Sequence, residues 1–336
     1  MNILVANNHL KRTGGTENYT YALIVELLRL KHDVEYFTYN KGYVSKMIEA
    51  LGVKFRSKKS YDLILANHTS TIQLLHHRGF VIQTCHGTLP SLEQPSRYAD
   101  AYVSVTKEVY KHLIKKGVES TIIRNGIDCE RFSSTRELNA RLSCVLSLCQ
   151  SDEANALIGE VCKQNKLTFL SADKKMDNVW HLERLINEAD MVVGIGRSLY
   201  DAMACGRTVL SFDKRKYSLA LGDGYLDSGN INESIRHNCS GRGTGKNMDA
   251  TDFEREIRKY KSDDGKFLRE YALQHLNIRH SVQQYLELFN KKSAERTKKP
   301  GHFISPLLYY KARVNRLPSY SIKGIVNWLL RKKKSV

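Results

Sequence analysis

Residues 189–209 have the sequence Ala-Asp-Met-Val-Val-Gly-Ile-Gly-Arg-Ser-Leu-Tyr-Asp-Ala-Met-Ala-Cys-Gly-Arg-Thr-Val. The pattern predicts an apolar strand over Met191–Gly194, a helix over Ser198–Ala204 and another strand that begins at Thr208. Short apolar strands that alternate with helices are typical of a parallel sheet covered by helices on both faces. Ligands of such sheets bind beyond the carboxyl ends of the strands, which makes the Gly-Ile-Gly turn a candidate binding site.

The same alternation extends in both directions as two series of strands and helices. The first series begins with a strand at residues 2–7, and the second begins with a strand at residues 143–149. Between them, residues 132–139 are polar and lack apolar periodicity, which indicates a domain boundary. The sequence therefore predicts an α/β protein with two doubly wound, Rossmann-like domains that face each other across a cleft. We expect these domains at 1–135 and 136–290, followed by a basic tail at 291–336.

Length and composition are sufficient for two such domains. The chain has 336 residues, of which 41% are hydrophobic, as in globular proteins of this size. No apolar run approaches the ~20 residues of a membrane-spanning helix, and residues 1–8 predict a buried strand rather than a signal peptide. We therefore expect the protein in the cytosol or on the cytosolic face of a membrane. Seven cysteines without a Cys-x-x-Cys pair predict reduced, mostly buried thiols.

The net charge of +18 is concentrated near the C-terminus. Residues 291–336 contain 13 Lys and Arg and one acid, whereas residues 1–290 contain 40 basic and 34 acidic side chains. The tail also has an apolar segment with an interfacial Trp328, followed by four basic residues at 331–334. These features predict either a short helix on an anionic membrane surface or a helix packed against the first domain. If the tail binds a membrane, we expect the molecule on which the protein acts to be linked to a lipid.

Two loops of the first domain contain candidate functional residues. Residues 13–17, Thr-Gly-Gly-Thr-Glu, join the first strand to a helix, and the glycines allow a phosphate or a reaction centre to approach the helix N-terminus. This loop is neither a GxGxxG motif nor a Walker loop, and a tight turn without a ligand is the alternative. His86 follows the strand Phe80–Cys85, where it can donate to a sugar hydroxyl or a developing charge. The alternative for His86 is a histidine satisfied by backbone carbonyls.

The turn in the quoted stretch has the most specific set of polar groups. Gly196, Arg197 and Ser198 begin a helix whose N-terminus suits a diphosphate, with a bidentate contact from Arg197. Asp201 follows one turn later and can accept hydrogen bonds from two ribose hydroxyls. An ordinary helix start with an Arg–Asp surface pair is the alternative. Asn125-Gly126, just before the domain boundary, is a candidate lip of the cleft, and residues 237–242 are a polar loop without an assigned role.

Taken together, these loops resemble glycosyltransferase family 4, a group of retaining enzymes with the GT-B fold. The matching segments follow the family's order over residues 1 to about 290: Gly14-Gly15-Thr16-Glu17, His86-Gly87, Asn125-Gly126-Ile127-Asp128 and, at 201–207, Asp-Ala-Met-Ala-Cys-Gly-Arg. The resemblance implies that a sugar is transferred with retention from a UDP- or GDP-linked donor, without a metal or other cofactor. The implied acceptor is a cell-surface glycan or a lipid-linked precursor.

The resemblance also implies roles for individual residues. His86 matches the active-site histidine that contacts the donor sugar, and Asp201 matches an acid that binds the ribose. The other donor-binding positions are Gly14, Gly15, Thr16, Glu17, Asn125, Gly196, Arg197 and Ser198. Three departures from the family pattern stand out: Asp201 is shorter than the usual Glu, Val193 replaces the first acid of the pair, and residues 149–153 lack the usual basic pair. Arg197 is the candidate replacement for that phosphate clamp.

Two other functions remain open at this stage. A glycosyltransferase that acts on modified bases of nucleic acid is compatible with the basic tail, but the body of the protein is close to neutral. A sugar-nucleotide or glycan-binding protein that has this fold without its activity is favoured by the valine at position 193. Binding to duplexes or to acidic lipid vesicles distinguishes the first, and binding without transfer distinguishes the second.

Overall fold

The computed structural model describes residues 1–172, 180–215 and 221–295. Within these residues, two sheets with covering helices follow each other along the chain. The first series of elements is β1 (Asn2–Ala6), α1 (Gly15–Arg29), β2 (Asp33–Phe37), α2 (Tyr43–Ala50), β3 (Lys54–Phe55), β4 (Leu63–Ala66), α3 (Thr69–Leu75), β5 (Phe80–Cys85), β6 (Ala101–Ser104), α4 (Lys107–Lys115) and β7 (Thr121–Ile122).

The second series contains a smaller sheet and the remaining helices. Its elements are β8 (Cys144–Ser147), α5 (Asp152–Gln164), β9 (Thr168–Ser171), α6 (Leu182–Glu188), β10 (Met191–Gly194), α7 (Arg197–Ala204), β11 (Thr208–Ser211), β12 (Gly224–Leu226), α8 (Ile231–Arg236), α9 (Ala250–Ile257), α10 (Ser262–His275) and α11 (Ile278–Ala294).

Both sheets place the carboxyl ends of their central strands at one edge. The first sheet has the order β3-β2-β1-β4-β5-β6-β7, with every pairing parallel. The second has the order β12-β11-β10-β8-β9, in which only β12 runs antiparallel to its neighbour among the described strands. The loops predicted to be functional follow β1, β5 and β10, so each lies at a carboxyl edge, where doubly wound sheets bind ligands.

The central strands are buried on both faces, which explains their unbroken apolar sequences. All four residues of β4 and of β10 are buried, and β1 is buried from Ile3 to Ala6. Helix α1 covers one face of the first sheet with Tyr19, Leu23 and Leu27, which are at most 1% exposed. All seven cysteines are buried and form no disulfide, as the sequence predicts.

Helix α11 belongs to the core of the first sheet, although it is the last described element. Its residues Ile278, Val282 and Tyr285 join the apolar cluster that contains α1 and β5. The Tyr285 hydroxyl lies 3.0 Å from the Tyr19 hydroxyl and 2.7 Å from the Thr84 Oγ1. The predicted range 136–290 therefore does not follow the packing at its C-terminal end, because amphipathicity identifies an apolar face but not the core that receives it.

The chain crosses between the two halves at two adjacent points. The Ile127 N–H donates to the Leu276 carbonyl at 2.7 Å, and the Ile278 N–H donates to the Ile127 carbonyl at 2.8 Å. A Cβ on Gly126 would lie 2.5 Å from the Ile278 Cα, so only glycine allows the two crossing segments to approach this closely. The two segments thus form one paired connection.

Short or irregular elements account for the differences from the predicted secondary structure. The sequence pattern misses β3 and β12, which have two and three residues and too little alternation to be recognised. None of the helices in the described part of the chain is both long and apolar enough to cross a membrane. The predicted tail at 291–336 lies outside the described residues from position 296 onward.

Candidate functional site

The Gly-Gly loop begins helix α1 and leaves open space above its first turn. Gly14 precedes the helix in an extended conformation, and a Cβ on it would lie 2.3 Å from the Glu17 Oε2. A Cβ on Gly15 would meet no atom within 4 Å. Packing therefore explains the glycine at 14 but not the one at 15, where a missing side chain gives a ligand access to the helix N-terminus.

The buried Glu17 side chain holds this turn in place through two polar contacts. Its side chain is 3% exposed, its Oε1 lies 2.9 Å from the His9 Nδ1, and the Thr16 hydroxyl donates to its Oε2 at 3.1 Å. The hydrogen bond to Glu17 raises the pKa of His9, which favours a charged pair. Of the predicted donor-binding residues in this loop, Gly14, Gly15 and Thr16 reach the surface, whereas Glu17 is buried.

A chain of amides positions His86 at the end of β5. The Thr20 hydroxyl donates to the Thr16 carbonyl at 2.8 Å and accepts from the Asn7 and Asn67 amides, both at 2.9 Å. The Asn67 Nδ2 is thereby held toward Thr20, so its Oδ1 faces the His86 Nε2 at 3.1 Å. The His86 Nε2 must then carry the proton, and Nδ1 keeps its lone pair.

Burial keeps His86 neutral. Loss of solvation, together with the nearby charges of His68 and Arg197, lowers its pKa to about 3. Tyr19 packs against the imidazole edge-on, with 5.5 Å between the ring centroids. A neutral imidazole that donates from Nε2 to Asn67 has a lone pair at Nδ1, so His86 can accept a hydrogen bond from a hydroxyl group, whereas the sequence suggested that it donates one.

The Gly196 turn is the counterpart of this site in the second half. Gly196 has a φ of +63°, which favours glycine, and helix α7 begins at Arg197. The Gly196 N–H donates to the Cys239 carbonyl at 3.4 Å. The N–H groups of the first turn of α7 are therefore presented at the carboxyl edge of β10, as the sequence predicts for a diphosphate site.

The Arg197 side chain is directed toward the connection between the halves. One guanidinium nitrogen donates to the Gly126 carbonyl at 3.0 Å, and another lies 3.6 Å from the Asp201 Oδ1. Three atoms are buried and have no hydrogen-bond partner among the residues that the structure describes: the Arg197 Nε, the Asp201 Oδ1 and the Asn125 Oδ1. Buried polar atoms are normally paired, so this group has unused capacity for a polar ligand.

Asp201 lies deeper than the sequence suggested. It is 2% exposed, and burial raises its pKa to about 6, while the charges of Arg197 and Arg131 oppose that shift. A direct contact with ribose hydroxyls would require Arg197 to move aside, because the guanidinium lies within 3.6 Å of the carboxylate. Val193, at the position of the first acid of the family pattern, is fully buried in β10 and pairs with Leu210.

The two loops face each other across the space between the sheets. The positive charge of Arg197 lowers the pKa of His86. It also acts to lower the pKa of Tyr19, which burial raises well above its usual value. The structure therefore brings together His86, Arg197 and the Gly15 turn. Sequence reasoning did not find Asn7 and Asn67, although each is the last residue of a predicted strand and a polar side chain after an apolar run, which is a recognisable signal.

Solved structures have a similar fold. Neither the comparison with protein-family models nor the comparison with curated proteins gives a match. A glycosyltransferase from Rickettsia africae ESF-5 is similar with a TM-score of 0.59 and 13% identity, covering 87% of this chain and 98% of that chain. The fold is the GT-B fold of glycosyltransferases.

Two further GT-B structures resemble the chain over nearly their full length. AviGT4, a glycosyltransferase involved in avilamycin A biosynthesis, has a TM-score of 0.53 and 14% identity, with 89% of this chain and 100% of that chain covered. The catalytic domain of starch synthase IV from Arabidopsis thaliana, bound to ADP and acarbose, has a TM-score of 0.52 and 11% identity, with 87% and 99% covered. The GT-B fold predicted from the sequence, with two Rossmann-like units facing each other, is thereby confirmed.

Proposed function

We propose that this protein is a glycosyltransferase that moves a sugar from a nucleoside diphosphate donor to an acceptor hydroxyl. The observation that carries the proposal is the convergence of His86 and the Gly15 turn from one sheet with Arg197 and the α7 N-terminus from the other. One side offers a neutral acceptor for sugar hydroxyls, and the other offers positive charge and N–H donors for a diphosphate.

This division of tasks suits cleavage of a glycosyl–phosphate bond. The bond from the anomeric carbon to the diphosphate oxygen breaks, a bond to the acceptor oxygen forms, and the acceptor proton leaves with the diphosphate. The negative charge that develops on the leaving group lies near Arg197 and the α7 N-terminus, which stabilise it. His86 and the open turn at Gly15 hold the sugar. Retention at the anomeric carbon and independence of a metal rest on the resemblance to family 4.

The donor and acceptor follow from less direct arguments. A UDP- or GDP-linked donor is proposed from the family resemblance, and the ADP bound to starch synthase IV supports a nucleoside diphosphate in general. We propose a cell-surface glycan or a lipid-linked precursor as the acceptor. The basic residues of the tail suit an anionic membrane surface, which would place the enzyme on the cytosolic face of a membrane.

The replacement of the first acid by Val193 favours a second candidate function. A protein that binds a sugar nucleotide without transferring the sugar would keep Arg197 and the α7 N-terminus but would not need that acid. Product formation from a labelled donor distinguishes the two functions, since both require donor binding and only the enzyme gives transfer.

A thermal-shift experiment tests the donor class and its site together. UDP, GDP, ADP and CMP are added to the wild type and to Arg197→Ala, with NAD as the control ligand. At 100 times its Kd, a ligand adds about 2.7 kcal/mol of stability. We expect one nucleoside diphosphate to raise the Tm of the wild type, and Arg197→Ala to lose that increase.

Arg236→Ala is the matched control variant. Arg236 is exposed on α8 and pairs with Glu233, so its removal takes the same charge from the same half without touching the site. The proposed function is wrong if NAD alone raises the Tm, or if no nucleotide does. If Arg197→Ala and Arg236→Ala lose the ligand-induced increase in Tm equally, the effect is due to overall charge rather than to the α7 site.

A further inference from the structure

The loop after helix α8 has a backbone conformation that sequence analysis did not anticipate. Asn238 and Cys239 follow each other with φ values of 59° and 45°, in the left-handed region that side chains other than glycine rarely adopt. The Cys239 N–H donates to the Ser234 carbonyl at 2.7 Å, which terminates the helix. Asparagine is common at such helix ends, so helix termination explains the backbone of Asn238 but not the direction of its side chain.

This loop packs directly against the Gly196 turn. The Cys239 carbonyl accepts hydrogen bonds from the Gly196 N–H at 3.4 Å and from the Ser211 hydroxyl at 2.9 Å. A Cβ on Gly196 would lie 3.0 Å from the Asn238 Nδ2. The Asn238 side chain therefore lies beside the turn where α7 presents its N-terminal N–H groups.

A buried tyrosine fixes the orientation of the Asn238 amide. The Tyr200 hydroxyl donates to the Asn238 Oδ1 at 3.0 Å, and Tyr200 is 3% exposed. Burial raises the pKa of Tyr200 well above its usual value, so the hydroxyl keeps its proton and remains a donor. With Oδ1 occupied, the Nδ2 faces Gly196, and within residues 1–172, 180–215 and 221–295 no acceptor is bonded to it.

A second observation at the same turn points to a polar ligand. The Arg197 Nε is buried, and within the described ranges 1–172, 180–215 and 221–295 it has no hydrogen-bond partner. A guanidinium N–H of this kind can donate to a phosphate oxygen. Unpaired buried groups of this kind require a partner that the protein itself does not provide.

We propose that Asn238 is a donor-binding residue, whose Nδ2 donates to a phosphate oxygen of the nucleoside diphosphate held at the α7 N-terminus. The proposal rests on the proposed function. It adds a third group of donors to the N–H groups of α7 and to Arg197, and it assigns a role to the polar stretch 237–242. Tyr200 is then a positioning residue, which keeps the amide from rotating.

Isothermal titration of a nucleoside diphosphate tests this role, with the corresponding nucleoside as the reference ligand. UDP and uridine, or GDP and guanosine, are titrated into the wild type, Asn238→Asp, Asn238→Gly and Tyr200→Phe. Aspartate tolerates the left-handed conformation but presents a carboxylate oxygen to the phosphate, whereas glycine keeps that backbone best and removes the side chain.

We expect the diphosphate to bind Asn238→Asp about tenfold more weakly or worse, since a charge-assisted hydrogen bond is replaced by repulsion. Asn238→Gly should weaken it by about three- to tenfold and Tyr200→Phe by about twofold, while nucleoside affinity changes less than about twofold in all three. The Tm of Asn238→Gly should equal that of the wild type within about 2 °C.

Two results would overturn the assignment. If Asn238→Asp binds the diphosphate as the wild type does, while Arg197→Ala has lost it, then Asn238 is only a helix terminator and the proposed function stands. If both Asn238 variants weaken the diphosphate and the nucleoside equally, the residue acts through loop structure. A wild type that binds no nucleoside diphosphate would instead refute the proposed function, and this proposal with it.

Discussion

His86 lies in the first half and Asp201 in the second, and burial shifts the pKa values of the two residues in opposite directions. Loss of solvation disfavours the charged form of both, which lowers the pKa of His86 to about 3 and raises that of Asp201 to about 6. His86 is therefore neutral throughout the physiological range, whereas Asp201 changes its charge just below neutrality.

This contrast separates a constant site from a pH-sensitive one. His86 offers the same lone pair at pH 6 and at pH 8, so its own contact with a sugar hydroxyl should not depend on pH. The charge balance of the Arg197–Asp201 pair changes when Asp201 takes up a proton, and that pair lies at the proposed phosphate site. We therefore expect phosphate binding in the second half to depend on pH through Asp201.

The largest expected effect comes from replacing His86, the residue whose charge does not change with pH. In His86→Ala the transfer rate kcat should fall about 100-fold, as for the loss of a group that binds the reacting sugar, whereas Kd for the nucleoside diphosphate should change less than about twofold. Steady-state kinetics with calorimetry measures both quantities.

The control is His280→Ala, because His280 is exposed on α11. A parallel loss of transfer rate and diphosphate affinity in His86→Ala would show that the two halves do not divide their tasks.

The next largest effect concerns Asp201, the residue whose charge changes with pH. The carboxyl of Asp201 has a pKa of 3.8 when unperturbed and about 6 in the folded protein. Between these values the folded state binds a proton that the unfolded state does not, so stability rises as the pH falls through 6. Relative to Asp201→Asn, the wild type should gain up to about 1.4 kcal/mol of unfolding free energy per pH unit in this window.

Thermal melts from pH 4 to pH 8 measure this difference. Asp263→Asn, at an exposed carboxylate of α10, should show a nearly constant offset from the wild type over the same range. A constant offset for Asp201→Asn as well would mean that its carboxyl is not perturbed by burial.

A smaller effect tests the support of His86. In Thr20→Val the Asn7 and Asn67 amides lose a shared acceptor, which should cost about 1–3 kcal/mol of stability. Because Asn67 is then free to turn its amide nitrogen toward His86, kcat should also fall by about three- to tenfold. The Tm and kcat are measured on the same preparation.

Thr208→Val is the matched control for Thr20→Val, because it removes a buried threonine hydroxyl from the other half. The Thr208 hydroxyl is buried and donates to the Asp190 carbonyl at 2.9 Å, away from both loops. Its removal should lower the Tm to a similar degree while kcat stays within about twofold. An equal fall of kcat in both threonine variants would remove the argument for a fixed imidazole tautomer.

The smallest effect concerns an ion pair that connects the loop after α8 in the second half with α4 in the first. Arg242 of the loop after α8 lies 2.7 Å from Glu108 of α4, and both side chains are partly exposed. Such ion pairs contribute about 0.2–1 kcal/mol. Glu108→Arg should raise KM by about twofold to fivefold at low salt, and the exchange Glu108→Arg with Arg242→Glu should restore it.

Salt provides the check on this last prediction. The difference between the single and the double variant should shrink at 0.5 M NaCl, since exposed charges are screened. A KM that does not respond to either change would show that this ion pair plays no part in keeping the two halves together.

The sequence was sufficient for the fold because its central strands are buried on both faces. β4 and β10 are continuous apolar runs followed by helices, which a parallel sheet requires. The position of α11 could not be predicted in the same way. Its apolar stripe fits either core, and only the paired crossing of Ile127 with Ile278 directs it to the first sheet.

The site was predictable where a motif marks a turn, and less so where side chains meet in space. The turns at Gly15 and Gly196 lie where the sequence placed them, at the carboxyl edges of β1 and β10. The orientation of Arg197 toward the Gly126 carbonyl was not evident, because the two residues are 71 positions apart. Asn238 was recognisable only as part of the polar loop 237–242, and no role could be assigned to it, since its amide is oriented by Tyr200 of α7.

The packing of α11 against the first sheet has a consequence for synthesis on the ribosome. The first sheet is translated first, yet its core includes Val282, Tyr285 and Leu288 near the end of the described chain. Among the described elements, the second half takes its last core residues from α10, up to Leu276, so it can complete its packing before α11 is made. The half that emerges first therefore finishes folding after the second one, and it leaves the apolar face of α1 exposed to chaperones until α11 has been made.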